Sequence, residues 1–183
     1  MKLLIVSDTH KDIKRLKILI EREKPDMVMH AGDFDVEEKK IAKLADYYVY
    51  GNWDINNQIT AHKIPHNATN FAKYLDKSYQ VFTLENKKFL LTHFMPGYAN
   101  NMTWKDKKTD VLQVINTTIN SIIKDQKPDY IIFGHTHKPI KHTHLLNPGS
   151  LTAPKQFLHH PTFIIATSND SGKFKFKVKK FKD

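Results

Sequence analysis

Aspartate, asparagine and histidine residues recur directly after short apolar runs in this chain, at spacings that could bind metal ions. Four of them occur in two triplets, Asp8-Thr9-His10 and His135-Thr136-His137, whose first and third side chains point to the same side of an extended chain. A single such residue is usually a loop, core or capping residue, so only the joint pattern predicts a site. The candidate ligands are Asp8, His10, Asp33, Asn52, His93, His135 and His137.

This combination of ligands favours a pair of divalent ions. Imidazole, carboxylate and amide groups together suit Mn²⁺, Fe²⁺, Ni²⁺ or Zn²⁺, and we take Mn²⁺ as the first choice. The chain contains no cysteine, which excludes thiolate ligands and disulfides and agrees with a cytoplasmic protein. The predicted cofactor is therefore two divalent metal ions with nitrogen and oxygen ligands.

The first half of the chain predicts the elements that would position these residues. One helix is predicted at Ile13–Ile20, followed by a stop signal at Lys24-Pro25-Asp26. A second helix is predicted to extend to Leu44, with Asp35 and Glu38 as its N-terminal cap. Short apolar runs predict strands at Leu3–Val6, Met27–Met29 and Tyr47–Tyr50. This βαβαβ order implies a parallel sheet, and the functional loops of such a sheet lie at the carboxyl ends of its strands.

After residue 75 the pattern predicts a hairpin, a long helix and further strands. The hairpin pairs Tyr79–Leu84 with Lys87–Leu91 around Glu85-Asn86, and the helix begins at Thr109 and ends before Lys127-Pro128-Asp129. The apolar face of that helix comprises Val111, Val114, Ile115, Ile119, Ile122 and Ile123. The further strands are Tyr130–Phe133, Pro139–Leu145, Thr162–Thr167 and Lys173–Phe181. Lysine alternates with apolar residues in the last of these, which is typical of a half-buried edge strand.

Length and charge narrow the class of protein. With 183 residues the chain suits a single domain over residues 1–183. No apolar run approaches the roughly 18 residues of a membrane helix, and Asp8 interrupts the first run too early for a signal peptide, so we expect a cytoplasmic protein without a membrane partner. The net charge is +10, yet only Arg15 and Arg22 among 29 basic residues are arginine. A basic composition dominated by lysine is only weak evidence for a nucleic-acid-binding protein. The excess of basic residues forms either a solvated face or a surface for an anionic partner.

Taken in order, the motifs resemble those of the calcineurin-like metallophosphoesterases, and most closely the small phosphodiesterases of the YfcE type. The resemblance extends from Met1 to about Ser150 and includes the turn at Asn147-Pro148-Gly149-Ser150. It implies an α/β fold, a four-layer sandwich of two packed mixed β-sheets flanked by helices. The matching motifs are Asp8-x-His10, Gly32-Asp33, Gly51-Asn52-Trp53-Asp54, His93 and Gly134-His135-x-His137.

The resemblance also implies a role for each motif residue. One metal ion would be held by Asp8, His10, Asp33 and His137, and the other by Asp33, Asn52, His93 and His135, with Asp33 as the bridge. A metal-bridging hydroxide would then hydrolyse a small phosphodiester, with catalytic roles for Asp33, Asn52, Asp54 and His93. The remaining histidines match no motif position and are expected at the surface; they include His142, His144, His159 and His160.

Two residues depart from the family pattern, and both are predicted to bind substrate. Trp53 stands where the family has histidine, and because indole cannot donate a proton to a leaving oxygen, hydrolysis of poor leaving groups is in doubt. The indole would either stack on a nucleobase or aryl group or pack under the loop. Phe94 replaces a glycine and begins a segment to Asp106, which would be an aromatic wall over the metals or an interface; its other apolar residues include Met95, Pro96, Tyr98 and Trp104.

Two other functions remain open from the sequence. A catalytically weak scaffold that binds partners, like the retromer subunit Vps29, would have the same fold, but the presence of all seven candidate ligands favours an enzyme. A nuclease is compatible with the basic C-terminal strand, although the chain lacks an obvious extra domain for gripping a duplex. The sequence does not identify the physiological substrate or the native metal, and it leaves a homo-oligomer open.

Overall fold

The computed structural model describes residues 1–61, 74–96, 109–152 and 160–182. The helices in these ranges are α1 (Ile13–Glu23), α2 (Glu38–Ile41), α3 (Asn52–Ala61) and α4 (Thr109–Gln126). The strands are β1 (Lys2–Val6), β2 (Met27–His30), β3 (Tyr47–Tyr48), β4 (Tyr79–Leu84), β5 (Lys87–Thr92), β6 (Tyr130–Ile132), β7 (Pro139–His142), β8 (Leu145–Pro148), β9 (Thr162–Ser168) and β10 (Phe174–Lys180). The βαβαβ order of the first half is confirmed. None of the described helices combines the length and the apolar character needed to cross a membrane.

Both sheets mix parallel and antiparallel strands. The first has the order β10-β9-β1-β2-β3, in which β1 pairs in parallel with β2 and antiparallel with β9. The second has the order β4-β5-β6-β8-β7, in which β5, β6 and β8 are parallel and the edge strands β4 and β7 are antiparallel to their neighbours. Parallel neighbours end at the same edge of a sheet, so the loops after β1 and β2 are adjacent, as are the loops after β5 and β6.

The strand β1 is buried on both faces because it lies between a second sheet and a helix. Leu3 belongs to a buried cluster with Phe89 and Ile132 of the second sheet, which form part of the layer between the sheets. Leu4 points to the opposite face and belongs to the cluster that contains Leu16 of α1. A strand covered on both sides reads as a continuous apolar run, as Leu3–Val6 does.

Helix α4 covers the outer face of the second sheet. Its Ile115 and Ile119 are buried in one cluster with Leu90 of β5 and Ile131 of β6. The layers are therefore helix, sheet, sheet and helix, and the predicted four-layer sandwich is confirmed. Val114 does not belong to the buried face as predicted, since it is 46% exposed.

Two features of the strands agree with the sequence pattern. The β4–β5 hairpin turns at Glu85 and Asn86, whose φ angles of 48° and 60° are the positive values that a tight hairpin turn requires. At the edge strand β10, Phe174 is buried and Lys175 is exposed, and the same alternation continues at the next two residues. The basic C-terminal segment is thus a half-buried edge strand.

Two predicted elements are wrong. The single strand predicted at Pro139–Leu145 is the hairpin β7–β8, which turns at Thr143-His144, a pair without the glycine or asparagine that would have indicated a turn. The helix predicted from a cap of Asp35 is shorter, because α2 starts at Glu38 with Glu37 as an N-cap that makes no side-chain bond. The Asp35 carboxylate instead bonds His10.

The inner layer gives a first testable prediction. Phe89 is fully buried, and its ring lies 5.6 Å from that of Phe82, 5.1 Å from Tyr130 and 5.2 Å from Phe174. Phe89→Ala would leave a cavity between the sheets, so we expect the free energy of unfolding in urea to fall by about 3–5 kcal/mol. The exposed control Val114→Ala should change it by less than about 0.5 kcal/mol. Similar losses in both variants would contradict the packing of the two sheets on Phe89.

Candidate metal centre

The predicted ligands lie at one end of the sandwich, where loops leave strands of both sheets. Backbone hydrogen bonds join these loops: Asp8 N–H donates to Gly32 O at 2.9 Å, and Gly134 N–H donates to His93 O at 3.1 Å. Helix α3, which the sequence did not predict, begins at Asn52 and brings this residue to the same place. The side chains fall into two neighbouring clusters: Asp8, His10 and His137 in one, and Asp33, Asn52, His93 and His135 in the other.

In the first cluster two imidazoles and a carboxylate face one point. The Nε2 atoms of His10 and His137 are 3.3 Å apart, and His137 Nε2 lies 3.0 Å from Asp8 Oδ1. His10 Nε2 is 4.0 Å from the same oxygen. Two nitrogens and a carboxylate oxygen at these separations could all reach one ion of the size of Mn²⁺ or Zn²⁺.

In the second cluster the amide oxygen of Asn52 faces two histidine rings. Asn52 Oδ1 lies 3.1 Å from His93 Nε2 and 3.0 Å from His135 Nδ1, and His93 Nε2 is 3.3 Å from Asp33 Oδ2. His93 Nδ1–H donates to Ala31 O at 2.7 Å, because a carbonyl can only accept. This bond leaves Nε2 as the atom that can bind a metal ion.

The charge of these side chains fits a cation. Asp8 is fully buried, and its carboxylate Oδ1 faces His137 Nε2 at 3.0 Å. Burial lowers the pKa of His93, but the neighbouring Asp33 carboxylate outweighs burial and raises this pKa to about 10. The potential at His93 Nε2 is therefore strongly negative. Because one ligand atom each of Asp8, Asp33 and His93 lies within 4.8 Å of the others, Asp33 connects the two clusters.

Glycine precedes three of the candidate ligands because a side chain there would displace the site. A Cβ atom on Gly51 would lie 2.1 Å from Asp33 Oδ1, and one on Gly134 would lie 2.1 Å from Ser7 Oγ. Gly32 additionally has a φ angle of 88°, which L-residues rarely adopt. The glycines of the motifs thus allow the loops to approach each other closely.

The loops themselves hold several non-glycine residues in the left-handed region. Such a conformation costs roughly 1–2 kcal/mol per residue and persists only where the surroundings impose it. At one end of the sandwich, this conformation coincides with the candidate ligands. The site residues with positive φ are Asp8, His10, Asp33, Asp35, His135 and His137.

Asp35 belongs to the site, although the sequence assigned it to a helix cap. His10 Nδ1–H donates to Asp35 Oδ2 at 2.8 Å, which directs His10 Nε2 to the first cluster. Burial lowers the pKa of His10, but the Asp35 hydrogen bond and nearby carboxylates outweigh this effect and raise it. A carboxylate behind a metal-binding histidine is a recurrent way to fix its ring. In the sequence, only the alternation of acidic and apolar residues in Asp33-Phe34-Asp35 could have indicated that Asp35 lies at the site.

Asp54, for which we predicted a catalytic role, is a buried residue whose carboxylate bonds the backbone of neighbouring loops. It is 3% exposed, and its carboxylate accepts backbone N–H bonds from Asp33 and Asp35 at 2.8 Å and from Gly51 at 2.9 Å. Burial, together with the charge of Asp33, raises the pKa of Asp54 to about 7. We interpret Asp54 as a positioning residue that joins the loop after β2 to the start of α3.

The two predicted substrate-binding residues differ in their exposure to solvent. Trp53 is 54% exposed beside the first cluster, with its ring centroid 6.4 Å from that of His10, so it does not pack under the loop. Phe94 is 3% exposed and lies against the rings of His93 and His135. A side chain so buried cannot form a wall facing the substrate, and we interpret Phe94 as packing that supports the two histidines. The residues after position 96 in that predicted wall, Tyr98 and Trp104, lie outside the described ranges.

One histidine outside the motifs is buried rather than at the surface. His30 accepts a bond from Gly32 N–H at 3.2 Å, and its Nε2 lies 3.1 Å from Thr9 Oγ1. Burial lowers the pKa of His30 to about 4, so the ring is neutral and braces both loops. Three of the other histidines are exposed as predicted, His142, His144 and His160, whereas His159 lies outside the described residues.

The turn after β8 supports the same loops from the other side. Ser150 Oγ–H donates to Asp8 O at 2.8 Å, and Asn147 Nδ2 donates to Gly134 O at 2.7 Å. Both donors are buried. The predicted turn at residues 147–150 therefore holds the backbone of two ligand-bearing loops in place.

Comparison with known proteins gives consistent results. Residues 1–171 match the model of the calcineurin-like phosphoesterase superfamily domain. The chain is 28% identical to a probable metallophosphoesterase of Mycoplasma genitalium over 169 residues, which cover 89% of this chain and 85% of the relative. Its fold is similar to that of an archaeal phosphodiesterase, with 20% identity and a TM-score of 0.59 over 98% of this chain and 100% of the other. A single mutant of Vps29 from Entamoeba histolytica is similar, with 20% identity and a TM-score of 0.54 over 100% of both chains.

The contact between Asp35 and His10 gives a second prediction. Asp35→Asn removes the charge that orients the His10 ring, so we expect the affinity for Mn²⁺, measured by titration calorimetry, to fall about tenfold. Asp12→Asn is the matched control, because Asp12 caps α1 and asparagine caps equally well. Unchanged Mn²⁺ affinity in the Asp35 variant would exclude a supporting role for this carboxylate.

Proposed function

Because this chain belongs to the calcineurin-like phosphoesterase superfamily, we propose that it is a phosphodiesterase with two divalent metal ions. The observation that carries the proposal is the pair of adjacent donor clusters with Asp33 between them. An archaeal protein of similar fold is a phosphodiesterase, which supports the choice of a diester. We further propose that residues 1–183 act as one cytoplasmic domain on a small substrate.

Each ion would have four protein ligands. One ion would be held by Asp8, His10, Asp33 and His137, and the other by Asp33, Asn52, His93 and His135. All donor atoms are nitrogen or oxygen, which suits Mn²⁺ first and Fe²⁺, Ni²⁺ or Zn²⁺ as alternatives. When bound, two such ions would activate a water molecule and polarise the phosphoryl oxygens of the substrate.

The residues of the chain keep this centre rigid and electrically balanced. The Asp35 carboxylate orients His10, and the Ala31 carbonyl orients His93. With only two carboxylates among the proposed ligands, two divalent ions leave a positive site. A hydroxide and a phosphodiester monoanion would neutralise that site without an additional lysine or arginine.

Trp53 limits the range of leaving groups. A proton donor beside the leaving oxygen typically contributes about 10² to 10⁴ in rate, and the indole at this position supplies none. The enzyme therefore favours diesters whose leaving group departs as a stable anion. The complete set of candidate ligands favours this function over a binding scaffold, which does not need them.

The ligand assignment predicts that metal and activity are lost together. Asp8→Asn removes the ligand charge from one cluster and His135→Ala removes a donor from the other, so both should reduce bound Mn²⁺ and abolish turnover of bis(p-nitrophenyl) phosphate. Metal content is measured by mass spectrometry on the same preparations. His142→Ala, an exposed histidine on β7, should retain both properties. Full metal content and turnover in the two ligand variants would refute the assignment.

The identity of residue 53 predicts a change in leaving-group preference. Trp53→His restores a proton donor, so turnover of alkyl diesters relative to aryl diesters should rise about tenfold or more. Trp53→Phe is the control and should not raise this ratio. If Trp53→His leaves the ratio of alkyl to aryl turnover unchanged, the absence of a proton donor is not what limits the reaction.

A further inference from the structure

Trp53 is a large apolar side chain that stays exposed at the rim of the metal centre. Its backbone N–H donates to Asp33 Oδ1 at 2.9 Å, so the first turn of α3 fixes its position relative to the proposed ligands. The indole lies edge-on to His10, with an interplanar angle of 87° and a centroid distance of 6.4 Å. An indole held in place and 54% exposed offers a surface on which a flat ring can stack.

Asn57 lies one helical turn after Trp53 on the same side of α3. Its Nδ2 donates to Asp35 Oδ1 at 3.3 Å, which places the amide next to the centre while the residue remains exposed. That bond uses one amide hydrogen, so the second N–H and the carbonyl oxygen can bond a ligand. Asparagine presents the paired donor and acceptor that match the edge of a nucleobase.

These two residues point to a base-binding subsite on the exposed face of α3, and we propose that the substrate is a phosphodiester that carries a nucleobase. The inference rests on the proposed phosphodiesterase function, since a phosphate at the metal centre would hold the base against Trp53. Because the indole lies close to His10, the base on Trp53 and the phosphate at the metal centre would belong to the same nucleotide. An indole and an amide carry no charge, and neither does a nucleobase, so stacking and hydrogen bonds would provide the selectivity.

The test compares two ligands that differ only in the base. Adenosine 5′-monophosphate and ribose 5-phosphate are titrated calorimetrically into the Mn²⁺-loaded protein. We expect the adenosine ligand to bind about tenfold tighter or more, because stacking on an aromatic side chain contributes that much per base. Trp53→Ala should bring the ratio of affinities close to one, and Trp53→Phe should keep most of it. Ile18→Ala removes another exposed apolar side chain, on α1 at 52% exposure, and should leave the ratio unchanged.

The outcomes separate this inference from the proposed function. Equal affinity for both ligands in the unchanged protein, or a preference that survives Trp53→Ala, would overturn the base-binding subsite. Turnover of bis(p-nitrophenyl) phosphate is measured on the same preparations. Turnover without a preference for the base refutes the subsite alone, whereas a preference that depends on Trp53 without turnover of this diester counts against the phosphodiesterase and supports the subsite.

Discussion

The burial of Asp8 and Asp33 at the end of one sheet is the constraint on which the rest of this structure depends. Both carboxylates are almost fully shielded from water, and a buried charge costs several kcal/mol unless it is compensated. Asp8 Oδ1 lies 3.0 Å from His137 Nε2 and 4.0 Å from His10 Nε2, and a cation bound between these groups would supply further compensation. The remaining candidate ligands are imidazoles and an amide, which would add donor atoms to a bound ion without adding negative charge. Metal binding should therefore also stabilise the fold, since an ion that binds only the folded state shifts the equilibrium towards it.

The loops at this end are strained, and their surroundings hold them in place. Six site residues have positive φ angles, a conformation that the isolated chain would avoid. The Asp54 carboxylate accepts three short backbone N–H bonds from two of these loops, and neutral His30 and the turn at residues 147–150 support them from below. These supporting groups explain why buried polar residues cluster around the site rather than in the layer between the sheets.

The sequence predicted the parts of the site that depend on strand direction and missed those that depend on loop conformation. Apolar runs located β1 and β2, and a residue directly after a parallel strand must lie at its carboxyl end, so Asp8 and Asp33 could be placed correctly. Asp35 could not, because its backbone takes the left-handed conformation and turns the carboxylate to His10 instead of to the helix that follows. Helix α3 was missed because Gly-Asn is usually a turn, and its start depends on the bond from Trp53 N–H to Asp33. The β7–β8 turn was missed because it contains no residue type that is typical of turns.

Part of the positive charge of the chain lies on the first sheet, away from this site. Lys179 of β10 donates to Glu23 of α1 at 2.9 Å, and Lys2 of β1 lies 3.3 Å from the same carboxylate, so part of the surplus joins the first sheet to its helix. Lys175 and Lys177 are exposed on an edge strand, where salt screens their field beyond about 8 Å. The proposed metal ions would neutralise a diester at the centre by themselves. Under that proposal the net charge would not be needed to hold the substrate, and the choice among diesters would depend on groups at the rim such as the indole of Trp53, which is 54% exposed.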